Sequence, residues 1–451
     1  PCMGSGHILV YVFDVLMQIY VSEGFTEKDA AESILKNNIY GLDIDDRAYQ
    51  LAHFAVLMRA RKYNRRILEK DISPLVYSIQ ESNTISDEFK DYIISKDFSI
   101  KNDLEYILNL FNDAKEYGSI LEVKSYKFDK LLNILDNLEN DKSNLIAFNY
   151  QKEHYLLKSF ILQSILLSNN FEIVITNPPY MGTSGMDQNL KDFLKKNYPK
   201  SKADLYSVFI ERCHKMSKNN GLFAMITQQS FMFLSTFEKL RADLLKNNAI
   251  IDMAHLGARA FDEIAGEVVQ STTFVLRKNH IKNYYSTFHR LIDFNSEKNK
   301  EEEFFNENNK YLCNSTSFEN VPGCPIAYWA SEDIINSFQY DNLLEYAFPK
   351  AGISTGDNSQ FVRYWFEVNF NKINFNCGSM EESLALPQKW YPYNKGGSYR
   401  KWFGNNELVV NWKDNGKEIR NFKGSTIRNP NFHFKKGLTW STLSTGNISF
   451  R

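Results

Sequence analysis

Cysteine, histidine and long apolar runs are scarce in this chain. Its 451 residues include five cysteines and eight histidines. Cys2, Cys213, Cys313, Cys324 and Cys377 are odd in number, scattered, and free of any CxxC or Cys/His spacing. Such a set points away from a disulfide framework and from a zinc site, so no metal is expected and a reducing, cytoplasmic setting is. No stretch approaches the roughly 18 consecutive apolar residues of a membrane span. Neither a signal-peptide pattern nor an internal repeat can be picked out, and no endonuclease-like grouping of acids with lysine is visible.

Charge of either sign is also nearly absent in sum, at −1, but the average hides a split. Residues 321–451 hold 15 Lys+Arg against 11 Asp+Glu, and residues 386–436 alone hold 11 against 3. A local excess of this kind is the footprint that a phosphate-backbone partner leaves, with a solvated basic face as the plainer alternative.

What is present begins with a glycine loop, "PCMGSGHIL", followed by "ILVYVFDVLMQIYV", a stretch apolar on nearly every side that reads as a buried helix. Thr26 is placed to cap a second helix whose first turn holds Glu27 and Asp29. "NIYGLDID" reads as a strand delivering Asp43 and Asp45 to its carboxyl end, and helical periodicity then resumes before a strand at "PLVYSIQESN". This alternation predicts an α/β fold with a doubly wound, Rossmann-like sheet. Residues 84–170 interrupt it with Lys/Asp/Leu-rich helical segments, and the sheet resumes at "FEIVITNPPY", running to "STTFVLRK". Beyond about residue 321 the texture becomes aromatic, Asn- and Gly-rich.

"NPPY", Asn177, Pro178, Pro179 and Tyr180, is the most informative word. It stands at the end of an apolar strand, where open α/β sheets place their sites. Two prolines fix the backbone and donate nothing, leaving carbonyl acceptors beside the Asn177 carboxamide oxygen and an aromatic face. That set suits a planar ring bearing an amino group. A rigid turn would explain NPPY alone, and GxG loops are common. Gly4-Ser5-Gly6, then a strand-end acid that can accept from ribose hydroxyls, then NPPY after a later strand is a conjunction that is not.

This order resembles the class I S-adenosylmethionine-dependent methyltransferases, and NPPY downstream of the cofactor loop resembles their N6-adenine DNA branch in the gamma arrangement. The resemblance implies S-adenosyl-L-methionine as cofactor, with Cys2, Gly4, Ser5 and Gly6 in its loop, Asp43 on the ribose with Asp45 nearby, and Glu81 close to its adenine. It implies catalysis by Asn177, Pro178, Pro179 and Tyr180, with Tyr180 and Phe261 stacking on a target adenine flipped from double-stranded DNA. "NPPYMG", "ADLYSVFIERC" and the C-terminal segments "WYPYNKGGSYRKWFGN" and "IRNPNFHFKKGLTWS" resemble the PglX-type methyltransferases of BREX and phage-growth-limitation systems. Other BREX components or phage inhibitor proteins are the further partners this implies. Asn394, Lys395, Arg400, Lys401, Arg420 and Arg428, beside Trp390, Tyr393 and Trp402, offer phosphate clamps and base-edge donors. At least half of these aromatics are expected in a core rather than facing a ligand.

The domains expected are a cofactor-binding half (1–83), a helical insertion (84–170), a catalytic half (171–320) and the start of a mixed α/β target-recognition domain (321–451). The function expected is site-specific adenine-N6 methylation that marks host DNA for phage exclusion. Two alternatives stand beside it: a DNA- or partner-binding specificity module with little catalysis of its own, and a protein glutamine methyltransferase, which the basic C-terminal region disfavours. A nicotinamide dehydrogenase would leave NPPY unexplained. In the family a strand precedes the glycine loop, so the chain is expected to be an internal stretch, cut within the recognition region at "GNISFR".

Overall fold

Helix α1 (His7–Ser22) starts at Gly6, whose φ of 86° is left-handed and therefore glycine's territory. A side chain there would also place its Cβ 2.9 Å from the Cα of Ala52. α2 (Glu27–Asn37) is capped by Thr26, whose hydroxyl accepts from the Asp29 amide, with Glu27 and Asp29 in the first turn. α3 (Asp46–Tyr63) begins at Asp45, whose carboxylate accepts from the Arg47 amide at 2.8 Å. The three helices share one core built on Phe13, Met17, Ile34, Leu35, Val56 and Ala60. An ion pair between Asp14 and Arg59 ties α1 to α3 at its rim.

The computed structural model describes residues 1–124, 128–140, 150–261, 269–400 and 403–440. Strands β1 (Tyr40–Asp43) and β2 (Leu75–Ser78) run parallel as a two-stranded sheet. The described residues between 87 and 168 then fold mainly as helices, among them Asp87–Lys96, Lys101–Leu110, Asp129–Asn140 and Gln151–Ser168. Their core of Phe89, Ile93, Ile107, Phe111, Phe160 and Ile161 closes over Leu42 of β1 and Ile79 just beyond β2. From the last of these helices the fully buried Gln163 donates to the Ser78 carbonyl at 2.9 Å, pinning the end of β2.

The larger sheet comprises β3 (Phe171–Thr176), β4 (Ser217–Gln228), β5 (Ala249–Gly257), β6 (Ser271–Arg277), β7 (Tyr285–Arg290) and β8 (Lys310–Asn314), in the order β3-β4-β6-β5-β7-β8. β3 and β4 are parallel, β6 runs antiparallel between β4 and β5, and β5 is parallel to β7. The carboxyl ends of β3, β4, β5 and β7 and the amino end of β6 therefore share one edge. The sheet is mixed, as an antiparallel strand among parallel ones makes it. β7 and β8 extend it beyond the strands read from the sequence. In β7 the small and polar Ser286, Thr287 and His289 mask strand character that the pairing with β5 decides.

Residues 2 and 3 join the two sheets. The Met3 amide donates to the Leu42 carbonyl of β1 at 3.0 Å. The Thr176 hydroxyl, at the end of β3, accepts from the Cys2 amide and donates to the Cys2 carbonyl, both at 3.1 Å.

These elements form one compact unit, Pro1–Tyr340; Asp341–Arg451 form a second. The second is built on a three-stranded antiparallel sheet, Val362–Tyr364, Leu408–Asn411 and Trp390–Pro392, with Phe361, Tyr391, Val410, Trp412 and Ile419 as its core. Trp390 and Trp412 are thus buried and Tyr393 half-buried, while Trp402 lies outside the described residues.

Candidate active site

The glycine loop and the strand-end acid meet. Gly4, with φ of 54°, donates its amide to Oδ2 of Asp43 at 2.9 Å, and Oδ1 of the same carboxylate accepts from the Asp45 amide at 3.0 Å. Each carboxylate oxygen retains a second lone pair for a ligand hydroxyl. A Cβ added at Gly4 would meet nothing within 4 Å, so the outer side of the loop is open to a ligand's approach. Asp45 itself is engaged as the cap of α3. Cys2 is half-buried, and burial pushes its thiol up to about 12, so it stays protonated near neutrality.

Asp46, one residue on, was not singled out from the sequence. Its carboxylate accepts from the Ser78 hydroxyl, the Gln80 carboxamide and Lys115 Nζ, at 2.5, 2.7 and 3.0 Å. Burial pushes that carboxyl up, but these hydrogen bonds outweigh it and hold the group below its ordinary value. Glu81, next to Gln80, accepts from the Lys115 amide at 3.2 Å, so the end of β2 is tied to the helical segment.

NPPY follows Thr176 directly, and through that residue's hydroxyl it stands against the glycine loop. Asn177 is exposed, Pro178 buried and Pro179 exposed. Tyr180 is half-buried, packed edge-on to Tyr206 with ring centroids 5.9 Å apart. Burial, and then the nearby Asp204, push its phenol up to about 12, so the ring is neutral. Asp204 caps helix Leu205–Met216 and accepts from the Met181 amide at 3.0 Å; in return the Met181 carbonyl accepts from the Leu205 amide at 3.0 Å. This reciprocal pair locks the turn after NPPY onto a helix start. It explains why "ADLY" follows "NPPYMG" at its distance, a link invisible without the fold.

Phe261 lies just past β5 and is 39 % exposed. Among the recognition candidates Asn394, Arg400, Arg420 and Arg428 are exposed and Lys395 is partly so, all within the second unit; Lys401 lies outside the described residues. Arg420 is already engaged: it donates to the Asn415 carbonyl and carboxamide and its guanidinium lies over Trp412. Among the described residues no group of three or more His, Cys, Asp or Glu is placed to hold a metal ion, and no helix is long and apolar enough to cross a membrane.

Residues 37–261 match the family model of the Eco57I restriction-modification methylase. The chain is 42% identical to "Adenine-specific methyltransferase PglX" of Lacticaseibacillus casei (strain Zhang), an alignment covering all of this chain and 39% of that protein. It is 38% identical to "Adenine-specific methyltransferase BrxX" of Escherichia coli O9:H4 (strain HS), over all of this chain and 38% of the relative. Similarity to "Type II restriction enzyme and methyltransferase RM.Eco57I" of Escherichia coli is lower, 23% over 56% of this chain and 26% of that protein. The chain thus spans about two fifths of the length of the first two relatives.

Proposed function

Because the chain belongs to the PglX-type family of adenine-specific methyltransferases, we propose that it is the methyl-transferring and target-recognising part of a site-specific DNA adenine-N6 methyltransferase. In this reading it uses S-adenosylmethionine and marks host DNA in a BREX-like phage-exclusion system. One observation carries it: Thr176 hydrogen-bonds the backbone of Cys2 while preceding Asn177, which joins the cofactor loop to the catalytic tetrapeptide. Both relatives' names say adenine-specific, which supports DNA base methylation over a protein glutamine substrate or a specificity module without catalysis.

The residues present fit the cofactor. The open backbone of Gly4, with Ser5 and Gly6, would accommodate its methionine part, Asp43 its ribose, and Asp45 and Glu81 would lie nearby. When bound, the cofactor supplies an electrophilic methyl group on a sulfonium centre. Adenine N6 is a weak nucleophile because its lone pair is delocalised into the ring. Asn177 Oδ1 and the Pro178 carbonyl accept hydrogen bonds from the two N6 hydrogens and favour a tetrahedral nitrogen whose lone pair is free. The prolines hold those acceptors in place, so most of the acceleration comes from positioning. Extruding the base costs on the order of a few kcal/mol, which stacking on Tyr180, with Phe261 on the other face, offsets in part. The neutral phenol of Tyr180 keeps the stacking face free of charge. We assign residues 1–83 and 171–320 to cofactor binding and catalysis, 84–170 to an inserted helical layer that braces them, and 321–451 to DNA recognition through Asn394, Lys395, Arg400, Lys401, Arg420 and Arg428.

The test is base-resolution sequencing of host DNA from cells carrying the full-length protein, its Asn177→Ala variant, or no gene. N6-methyladenine at one sequence only in the first sample supports the reading. An identical adenine methylation pattern in all samples overturns it.

A further inference from the structure

A chain of neutral hydrogen bonds runs through the first compact unit, Pro1–Tyr340, to the edge where Asn177 stands, and neither the proposed chemistry nor the recognition candidates use it. It starts at Tyr328, buried in the core, whose hydroxyl lies 3.0 Å from Nδ1 of His255 on β5. Nε2 of His255 lies 2.6 Å from Oε1 of Gln229, the residue after β4, and the Gln229 carboxamide nitrogen donates to Oε1 of Gln270. His255 is 3 % exposed. Burial, with Arg290 and Lys300 nearby, holds its pKa down at about 4, so one ring nitrogen carries a proton and the other does not. Gln229 Oε1 can only accept, which assigns the proton to Nε2 and leaves Nδ1 to accept from Tyr328. The polarity of the whole chain is thereby set, from Tyr328 outward.

The chain ends on an exposed group. Gln270 precedes β6 and is solvent-exposed; with its oxygen held by Gln229, its amide hydrogens are directed away from that contact. Two further observations place it on the same edge of the sheet as the site. Gln228 pairs with Ser271, and β6 lies next to β4, which lies next to β3. Thr176 is level with Met225 and Phe274, so Gln270 stands two strand spacings across the sheet, about 10 Å, and four residues along it, about 13 Å, from the end of the Asn177 strand. The neighbouring Ser230 hydroxyl bonds Tyr206, the residue packed on Tyr180. Beside the chain, Trp329 stacks on His255 at 28° and is 42 % exposed, with the Arg290 guanidinium 5.8 Å from its ring. Arg241, through carbonyls of Phe231, Leu234, Gly323 and Cys324, fastens together the two loops that bear Gln229 and Trp329.

We propose that Gln270, oriented through Gln229, His255 and Tyr328, contacts a base edge of the DNA within a few steps of the target adenine, so that the methyltransferase unit reads part of the recognised sequence itself. A carboxamide held in one orientation presents its amide donor, and the one oxygen lone pair that Gln229 leaves free, at fixed positions, which matches the N6/N7 edge of an adenine. A freely rotating surface glutamine would present both orientations and discriminate little. Gln270 is the contact residue here, and His255 and Tyr328 are positioning residues.

This inference rests on the reading that the protein methylates DNA adenine, and the experiment separates the two. Full-length wild-type protein and its Gln270→Ala and Tyr328→Phe variants are expressed in cells lacking adenine methylation, and the methylated sequence is read at base resolution. If the wild type leaves no N6-methyladenine, the functional reading fails. If it methylates, Gln270→Ala is expected to relax the motif at one position, with discrimination there falling about tenfold because the preferred sequence loses the contact. Tyr328→Phe is expected to relax the same position to a lesser degree, an effect that a loss of stability alone does not produce. An unchanged motif in Gln270→Ala overturns the proposal.

Discussion

Replacing Thr176 by Val changes no volume in the core yet removes the hydroxyl that both accepts from and donates to the Cys2 backbone. Thr176 is 1 % exposed, so its side chain is dry, whereas Cys2 is half-buried and can recover part of its hydrogen bonding from water. A net hydrogen bond is worth about 1 kcal/mol and a buried group left without a partner costs about 1–3 kcal/mol. Two bonds with partial recovery by water give about 1–2 kcal/mol for holding the glycine loop against β3. If ligand binding requires the loop in that position, the affinity of the full-length protein for S-adenosylmethionine falls about tenfold, since about 1.4 kcal/mol is one decade. Thr176→Ser keeps the hydroxyl and loses a buried methyl, a stability cost of about 1 kcal/mol. Calorimetric titration of cofactor, with thermal unfolding alongside, separates the cases: Val loses affinity, Ser loses only stability. Equal cofactor affinity for Val and wild type would refute the claim that this hydroxyl couples the two halves of the site.

Asn177→Ala and Tyr180→Ala are each expected to cut methyl transfer at least a hundredfold while leaving cofactor affinity within twofold; a tritiated-methyl transfer assay with parallel binding isotherms checks both. His255 has its pKa depressed from 6.5 to about 4, so on acidification the unfolded chain takes up the proton first. Its contribution to stability is intact above about pH 6.5 and is lost as pH falls toward 4, by about 2 kcal/mol at pH 5. Urea unfolding of wild type and His255→Gln at pH 7 and pH 5 measures that difference, and identical acid limbs count against it. Arg428→Ala, an exposed cation outside the core of its unit, is expected to lower the slope of log affinity against log salt by about 0.9, across specific and nonspecific DNA alike.

Parts of the candidate site stand out in the sequence because their backbone geometry demands unusual residues. Left-handed backbone asks for glycine, as at Gly4 and Gly6, and a rigid run of acceptors asks for Pro178 and Pro179. The residues that connect these parts leave no such mark. Thr176 reads as an ordinary strand residue, Gln163 as a helix residue, and Asp204 as a routine cap. Each acquires its role from an atom distant in sequence: Cys2, the Ser78 carbonyl, and the Met181 amide. Asp45 shows the converse. An acid at a strand end is ligand-like in one dimension, and in three its carboxylate also starts α3.

The same asymmetry governs the C-terminal unit. Aromatic and basic residues alternate there closely enough to suggest a surface for nucleic acid, yet Trp390, Tyr391 and Trp412 are core and Arg420 is spent on Asn415 and Trp412. A planar cation stacked on tryptophan and bonded to a backbone carbonyl is held in one place. It can meet a phosphate only where the turn around Asn415 puts it, and that turn is made by three consecutive left-handed residues, Asp414, Asn415 and Gly416. Gly416 has no room for a side chain, since a Cβ would stand 2.7 Å from the Trp412 ring. Density of charge in sequence therefore overstates the number of free cations. The other arginines singled out from the sequence, Arg400 and Arg428, are exposed, and there a loss of charge should appear most directly in DNA affinity.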